Sequence, residues 1–206
     1  MNVLLVLGAY LLGAIPFGLL VVRGVTGRDI RQEGSGNIGA VNVHRIAGPA
    51  VAVLVLSLDL VKGLVPVLLT RALAAGQPGV DALAVITGIA AVAGHNWSVF
   101  LRGQGGKGIA TSYGVLLALS PVAAAVAALV WVVVVLLTRY ASLASLLGVL
   151  SVPVVMLARH EPASNLFFGI VALIFGVYRH RSNIQRLLQG EERKLSFRER
   201  QGVTRA

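Results

Sequence analysis

The residues able to do chemistry fall in three polar islands set in an otherwise apolar chain. The first is Gly34-Ser35-Gly36-Asn37-Ile38-Gly39-Ala40-Val41-Asn42-Val43-His44-Arg45. Its spaced glycines leave backbone amides open, and consecutive amides of this kind form concave anion sites. Arg45 adds a planar cation matched to phosphate oxygens. The second island runs from Gly94-His95 through Gly105-Gly106-Lys107-Gly108 to Ala110-Thr111 and surrounds Lys107 with glycines. Backbone amides and an ammonium can there meet one phosphate together. The third opens the tail with Arg179, His180, Arg181, Ser182 and Asn183. Brought together, the islands suit a small phosphorylated substrate, and two separate cationic loops leave room for two phosphates. An ordinary interhelical loop explains Gly, Ser and Asn equally well. Ser35 also suits the cap of a helix starting near Asn37.

Several chemistries are excluded by what stands at particular positions. A Walker A loop needs Gly where Leu101 stands and Ser or Thr where Gly108 stands. A G-x-S-x-G nucleophile elbow around Ser35 fails because Glu33 takes the first glycine position. An H-x4-D acyltransferase pair fails at every histidine, since Pro49, Phe100, Asn165 and Gln185 occupy the acidic position. The four histidines lie far apart with no carboxylate at ligand spacing, so no metal is expected, and no other cofactor. With no cysteine, thiolate chemistry and disulfides are absent.

The elements that must position the islands follow from hydropathy. The chain of 206 residues is 56% hydrophobic and only 13% charged, against roughly 25% in soluble domains; its mean hydropathy is +0.83. An all-α integral membrane bundle is expected, one transmembrane domain over residues 1–206. A net charge of +10 without aromatic interleaving points to anionic headgroups and phosphorylated substrates, and away from nucleic acid. Apolar runs predict spans over residues 2–22, 50–70, 81–99, 106–119, 121–138, 141–158 and 165–178, with a polar loop over 23–49 and a basic tail over 179–206. The first run has no basic n-region before it and no small-x-small cleavage site after it, so it reads as a retained helix. The division at Ser120-Pro121 rests on two grounds: proline disfavours continuing the helix, and an even number of crossings is needed to bring all islands to one face. The resulting short crossing of 106–119 requires a sheltered start.

On that count Arg23, Arg28, Arg31, Arg45, Arg102, Lys107, Arg139 and the arginines and lysine of the tail share the islands' face, against Arg71 and Arg159 opposite. The positive-inside rule then puts the islands in the cytoplasm, the N-terminus outside and the C-terminus inside. Asp59 and Lys62 share one helical face within a span and can pair, in a functional role or as a structural pair near the interface. His95, two residues before Trp97, reads as an interfacial residue. His44 and His160 are expected to be uninvolved.

Taken together, the islands resemble the three signature regions of the bacterial acyl-phosphate:glycerol-3-phosphate acyltransferase family. The resemblance rests on Gly34 through Ala40 with Asn42 and Arg45. It continues in Gly94-His95, Phe100-Leu101 and Gly105-Gly106-Lys107-Gly108 with Ala110-Thr111. The third region supplies His180, Asn183-Ile184, Arg186-Leu187 and Gly190-Glu191. Asp59 with Lys62-Gly63, and Arg139-Tyr140 with Ser142 and Ser145, also fall where this family places polar residues. Val41 stands where Thr is common, Ser98 where Pro is common, and Gly103-Gln104 where an aromatic and a basic residue often precede the glycines.

The resemblance implies transfer of a fatty acyl group from acyl phosphate to the sn-1 hydroxyl of glycerol 3-phosphate, the first acylation of phospholipid synthesis, in the bacterial cytoplasmic (inner) membrane. It implies catalytic roles for Ser35, Lys107, His180 and Asn183. Substrate contacts would come from Gly34, Gly36, Asn37, Asn42, Arg45, Gly105, Gly106, Gly108, Ser142 and Ser145. An enzyme that makes acyl phosphate is the protein partner it suggests, and the acyl chain would enter sideways from the bilayer. Because acyl phosphate is already activated, no covalent acyl-enzyme is needed. The proton goes to His180 or to the donor's own phosphate, and the resemblance favours the phosphate. Two rival readings remain: a small transporter of an anionic solute, and an acyltransferase that uses acyl-CoA or acyl carrier protein as donor.

Overall fold

Apolar runs this long can satisfy their backbone within a bilayer only by coiling into helices. The computed structural model describes residues 1–195 and is built of helices and two short 3-10 turns, with no strand among the described residues. Arg198, Arg200 and Arg205 of the basic tail lie outside the described residues. The helices are α1 (Asn2–Ala14), α2 (Phe17–Thr26), α3 (Ala40–Leu73), α4 (Val80–Asn96), α5 (Ile109–Leu119), α6 (Pro121–Thr138), α7 (Ala141–Ala158), α8 (Ala163–Arg179) and α9 (Arg181–Leu188).

Five segments are long and apolar enough to cross a membrane: Asn2–Thr26, Ala40–Leu73, Val80–Leu101, Pro121–Thr138 and Ala141–Ala158. The pair α8 and α9, bent by 61°, makes a sixth, and α5 is a shorter apolar helix. Pro16 breaks the first crossing between α1 and α2, since it offers no N–H and cannot extend the ladder. Gly48, at φ 83°, bends α3 ahead of Pro49. The helix therefore begins ten residues before the apolar run, and residues 40–47, expected as loop, are helical.

The division at Ser120-Pro121 is present, with α5 ending at Leu119 and α6 starting at Pro121. The Ser120 hydroxyl accepts the Ala123 N–H at 3.4 Å, and proline at the first helical position loses nothing. At 11 residues, α5 is about 16 Å long. It is held by very close approach to α3: a side chain on Gly63 would run into the Thr111 carbonyl, and one on Gly114 into that of Leu60. Small residues of this kind let helix backbones touch where lipid offers no hydrophobic drive.

Two polar ends result. At one end Arg71 Nη1 donates to the Ala118 carbonyl at 2.6 Å, Asn165 donates to the Leu119 carbonyl at 3.1 Å, and Ser120 donates to Glu161 at 2.5 Å. The opposite end gathers the three islands.

Candidate active site

The first island is a loop folded around one amide. Asn42, on the first turn of α3 and buried, donates from Nδ2 to the Asn37 carbonyl at 2.9 Å and the Glu33 carbonyl at 3.1 Å. Its Oδ1 accepts the Ser35 N–H at 2.9 Å. Gly34, at φ 60°, sits against that same oxygen, where a side chain would collide with it. Asn37 Oδ1 accepts the Gly39 N–H at 2.8 Å. The cap of α3 is Gly39, without a side-chain bond, so Ser35 does not cap a helix near Asn37. The Ser35 side chain is instead carried on the exposed rim of the loop.

The second island is a turn clamped from two sides. Arg179, the last residue of α8, donates from Nε to the Gly106 carbonyl at 2.9 Å and from Nη2 to the Gly105 carbonyl at 2.6 Å. Its guanidinium lies 6.0 Å from the centre of the Trp97 ring. The next residue along the turn, Lys107, donates to Asn183 Oδ1 at 2.6 Å. Ser98 donates to the Ala14 carbonyl at 2.5 Å, occupying a carbonyl left free where α1 ends.

The third island turns sharply between α8 and α9, which brings His180 and Asn183 inward; both are buried. His180 Nδ1 lies 2.8 Å from the Gly176 carbonyl. A carbonyl can only accept, so Nδ1 carries the proton and Nε2 of the neutral ring keeps its lone pair. Beyond α9 the chain folds back over the site. Glu192 Oε1 accepts from Asn183 Nδ2 at 2.6 Å and from the Ser142 hydroxyl at 2.8 Å, and Oε2 accepts from Arg186 Nε at 2.8 Å. Arg193 donates to the Gly34 carbonyl at 3.0 Å, Arg45 reaches the Arg193 carbonyl at 3.5 Å, and the Leu195 N–H donates to the Arg139 carbonyl at 2.7 Å.

The three islands therefore meet. Asn183, Ser142 and Arg186 hold the Glu192 carboxylate, Lys107 joins them through Asn183 Oδ1, and Arg45 and Arg179 are close enough to act on the Lys107 ammonium. Burial pushes Lys107 down to about 8, with Glu192 opposing and Arg186, Arg45 and Arg179 adding to the fall. Burial would raise the Glu192 carboxyl, but hydrogen bonds from Asn183, Ser142 and Arg186 outweigh it and hold the group below the usual carboxylate range. Cations and amide donors gathered this closely form a positive region of the kind that attracts anions.

Ser145 is not among the groups that meet here. Its hydroxyl donates to the Ala141 carbonyl at 2.8 Å and accepts from Trp131 Nε1 at 3.2 Å, between α6 and α7. His95 is buried and not interfacial, since α4 packs against α1 along this stretch. Sequence reasoning named Arg179 and Arg186 only as members of the third island, without a catalytic or substrate role, and did not single out Glu192 or Arg193. Only the adjacency of a carboxylate to a dense basic run hinted at Glu192. No group of three or more His, Asp or Glu that could hold a metal is present among the described residues.

Fold and site define a helical integral membrane protein in which three glycine-bearing loops and their cations meet at one end. The profile of the glycerol-3-phosphate acyltransferase family matches residues 3–190, and the chain belongs to that family. It is 51% identical to the glycerol-3-phosphate acyltransferase of Desulforudis audaxviator, over 95% of this chain and 97% of that protein. It is 44% identical to the enzyme of Desulforamulus reducens, over 94% and 95%. The fold is similar to the crystal structure of PlsY, an integral membrane glycerol 3-phosphate acyltransferase, in its glycerol 3-phosphate form, with a TM-score of 0.88 and 41% identity over 95% of this chain and 96% of that one. The lysophosphatidic acid form of the same enzyme gives a TM-score of 0.86.

Proposed function

We propose that this chain transfers a fatty acyl group from acyl phosphate to the sn-1 hydroxyl of glycerol 3-phosphate, giving lysophosphatidate and inorganic phosphate. The observation that carries the reading is the meeting of the three islands: Asn183, Ser142 and Arg186 converge on the Glu192 carboxylate, Lys107 joins them through Asn183, and the first loop is tied to the same end through Arg193. That arrangement holds two anions side by side. Family membership supports it, as do the glycerol 3-phosphate and lysophosphatidic acid forms of the similar PlsY enzyme.

The reaction needs little beyond positioning. The sn-1 oxygen bonds to the acyl carbon, the acyl C–O bond to phosphate breaks, and the hydroxyl proton ends on the departing phosphate. Ser35, Asn37, His180 and Asn183 hold the acyl phosphate, while Arg45 and Lys107 hold the glycerol phosphate, with Ser142 contributing through its place beside Glu192. Asn42 acts by shaping the first loop, since its amide is already committed to backbone. Cations and amides aimed at the developing oxyanion do the catalytic work. The donor phosphate takes the proton, and His180 orients it. The donor's chain lies among the lipid-facing helices and enters from the bilayer.

The same reading sets the topology: seven crossings in the bacterial inner membrane, with α5 a short fourth one, the N-terminus outside and the islands cytoplasmic. The charge asymmetry supports it. Purified protein given radiolabelled glycerol 3-phosphate with acyl phosphate, with acyl-CoA, or with neither tests the assignment. Labelled lysophosphatidate with acyl phosphate only is expected. Turnover with the thioester alone would overturn the donor, and uptake into vesicles without product would make the chain a transporter.

A further inference from the structure

Asp59 and Lys62 on α3 and His95 on α4 are 2%, 2% and 4% exposed. Charged groups inside a membrane bundle are costly even when paired, and apolar residues would join two helices more cheaply. Lys62 Nζ lies 2.8 Å from Asp59 Oδ1 and donates at 2.8 Å to the Ile15 carbonyl, at the break that Pro16 makes in the first crossing. Asp59 Oδ1 in turn lies 3.6 Å from His95 Nδ1. His95 touches the second island twice. Its backbone carbonyl accepts the Gly106 N–H at 2.9 Å, and its Nε2 fills the space that a side chain on Gly106 would need. Arg179 holds the same turn from the other side, and the residue that follows is Lys107.

We propose that Asp59, Lys62 and His95 form a buried positioning device that sets the orientation of the Gly105–Lys107 turn and, through it, the grip on glycerol 3-phosphate. The inference rests on the assignment of Lys107 to that substrate's phosphate. None of the three touches substrate. Asp59 packs against the His95 ring at 3.6 Å, beyond hydrogen-bond length; the place of the ring decides how Gly106 seats, and the seat of Gly106 aims the ammonium of Lys107 toward Asn183. Lys62 balances the carboxylate and ties the device to the broken helix, so that the first and second crossings share one reference point.

The test compares Asp59→Asn with the charge-neutral double variant Asp59→Asn/Lys62→Gln. The double variant leaves no unpaired buried ammonium and keeps an amide donor for Ile15. Hydrogen–deuterium exchange on the ligand-free proteins is expected to show amides of residues 103–108 exchanging about tenfold faster in both, with residues 30–39 unchanged. The KM for glycerol 3-phosphate should rise about tenfold while that for acyl phosphate stays within about twofold, and the double variant should keep the wild-type thermal midpoint. Unchanged exchange at 103–108, loosening spread over all loops, or equal rises in both KM values would each overturn the proposal. The exchange measurement needs no substrate, so it decides the role of the cluster even if wild-type protein fails to use acyl phosphate. That failure would refute the assigned reaction alone.

Discussion

Lys107 carries the sharpest consequences at the scale of single residues. It is held at about 8 by burial and by the arginines around it, with Glu192 pulling the other way. Below that value it is charged and attracts a phosphate; above it the ammonium is lost and the attraction goes with it. The KM for glycerol 3-phosphate should therefore climb as pH rises through about 8, and Lys107→Arg should move that climb out of range; initial-rate profiles between pH 6 and pH 10 or so would show both. Lys107→Ala should raise the same KM by about 10- to 100-fold, the worth of a charge-assisted bond, and leave the acyl-phosphate KM nearly unchanged. A loss confined to acyl-phosphate affinity would reverse the division of substrates between loops. Glu192 works with the opposite sign. Its carboxyl is depressed in the folded chain, so its hold on Ser142, Asn183 and Arg186 is full above the ordinary carboxylate range and is lost only as pH falls through its lowered value, below that range. Glu192→Ala should cost most of the activity, because the donors it orders would lose their common partner.

The helices divide into those that aim the site and those that only hold it. Ser120 belongs to the second kind. It caps α6 and bonds Glu161 at the end remote from Lys107. Ser120→Ala should lower stability by about 0.5–2 kcal/mol, read as a fall in thermal midpoint in detergent, with both KM values unchanged. Gly63→Val is harsher, because α3 and α5 touch backbone to backbone there; about 1–3 kcal/mol of overpacking strain is expected. What the sequence made legible follows the same division. Hydropathy and one proline, a local signal, marked where α5 and α6 divide, and the need to bring the islands to one face supplied the rest. The inward turn of His180 and Asn183 was expected only through resemblance. The burial of His95 beside Asp59 could not be read at all, since a histidine near a tryptophan at a span's end looks the same whether lipid or another helix covers it. Glu192 was hidden for a related reason: a basic tail reads as an orientation signal until its fold brings one carboxylate back over the pocket.

For the molecule as a whole, the charge asymmetry between its ends makes a topological prediction. The chain has no cysteine, so single cysteines can be introduced without background. Gln77→Cys and Arg159→Cys should react with an impermeant maleimide in intact cells, and Gln104→Cys and Gln189→Cys only after permeabilisation. The reverse pattern would invert the bundle and place the pocket where no cytoplasmic metabolite could reach it.

The brevity of α5 bears on how the two reactants meet. A rod of about 16 Å cannot bridge a hydrocarbon layer of roughly 30 Å. On the proposed seven-crossing topology, the turn that opens it is expected to sit well below the plane of the lipid phosphates. The water-borne reactant has to descend into a shallow well to find Lys107, whereas the greasy one is already at that depth and need never surface. The finished ester could then drift off within its own leaflet, leaving only the small phosphate to climb out.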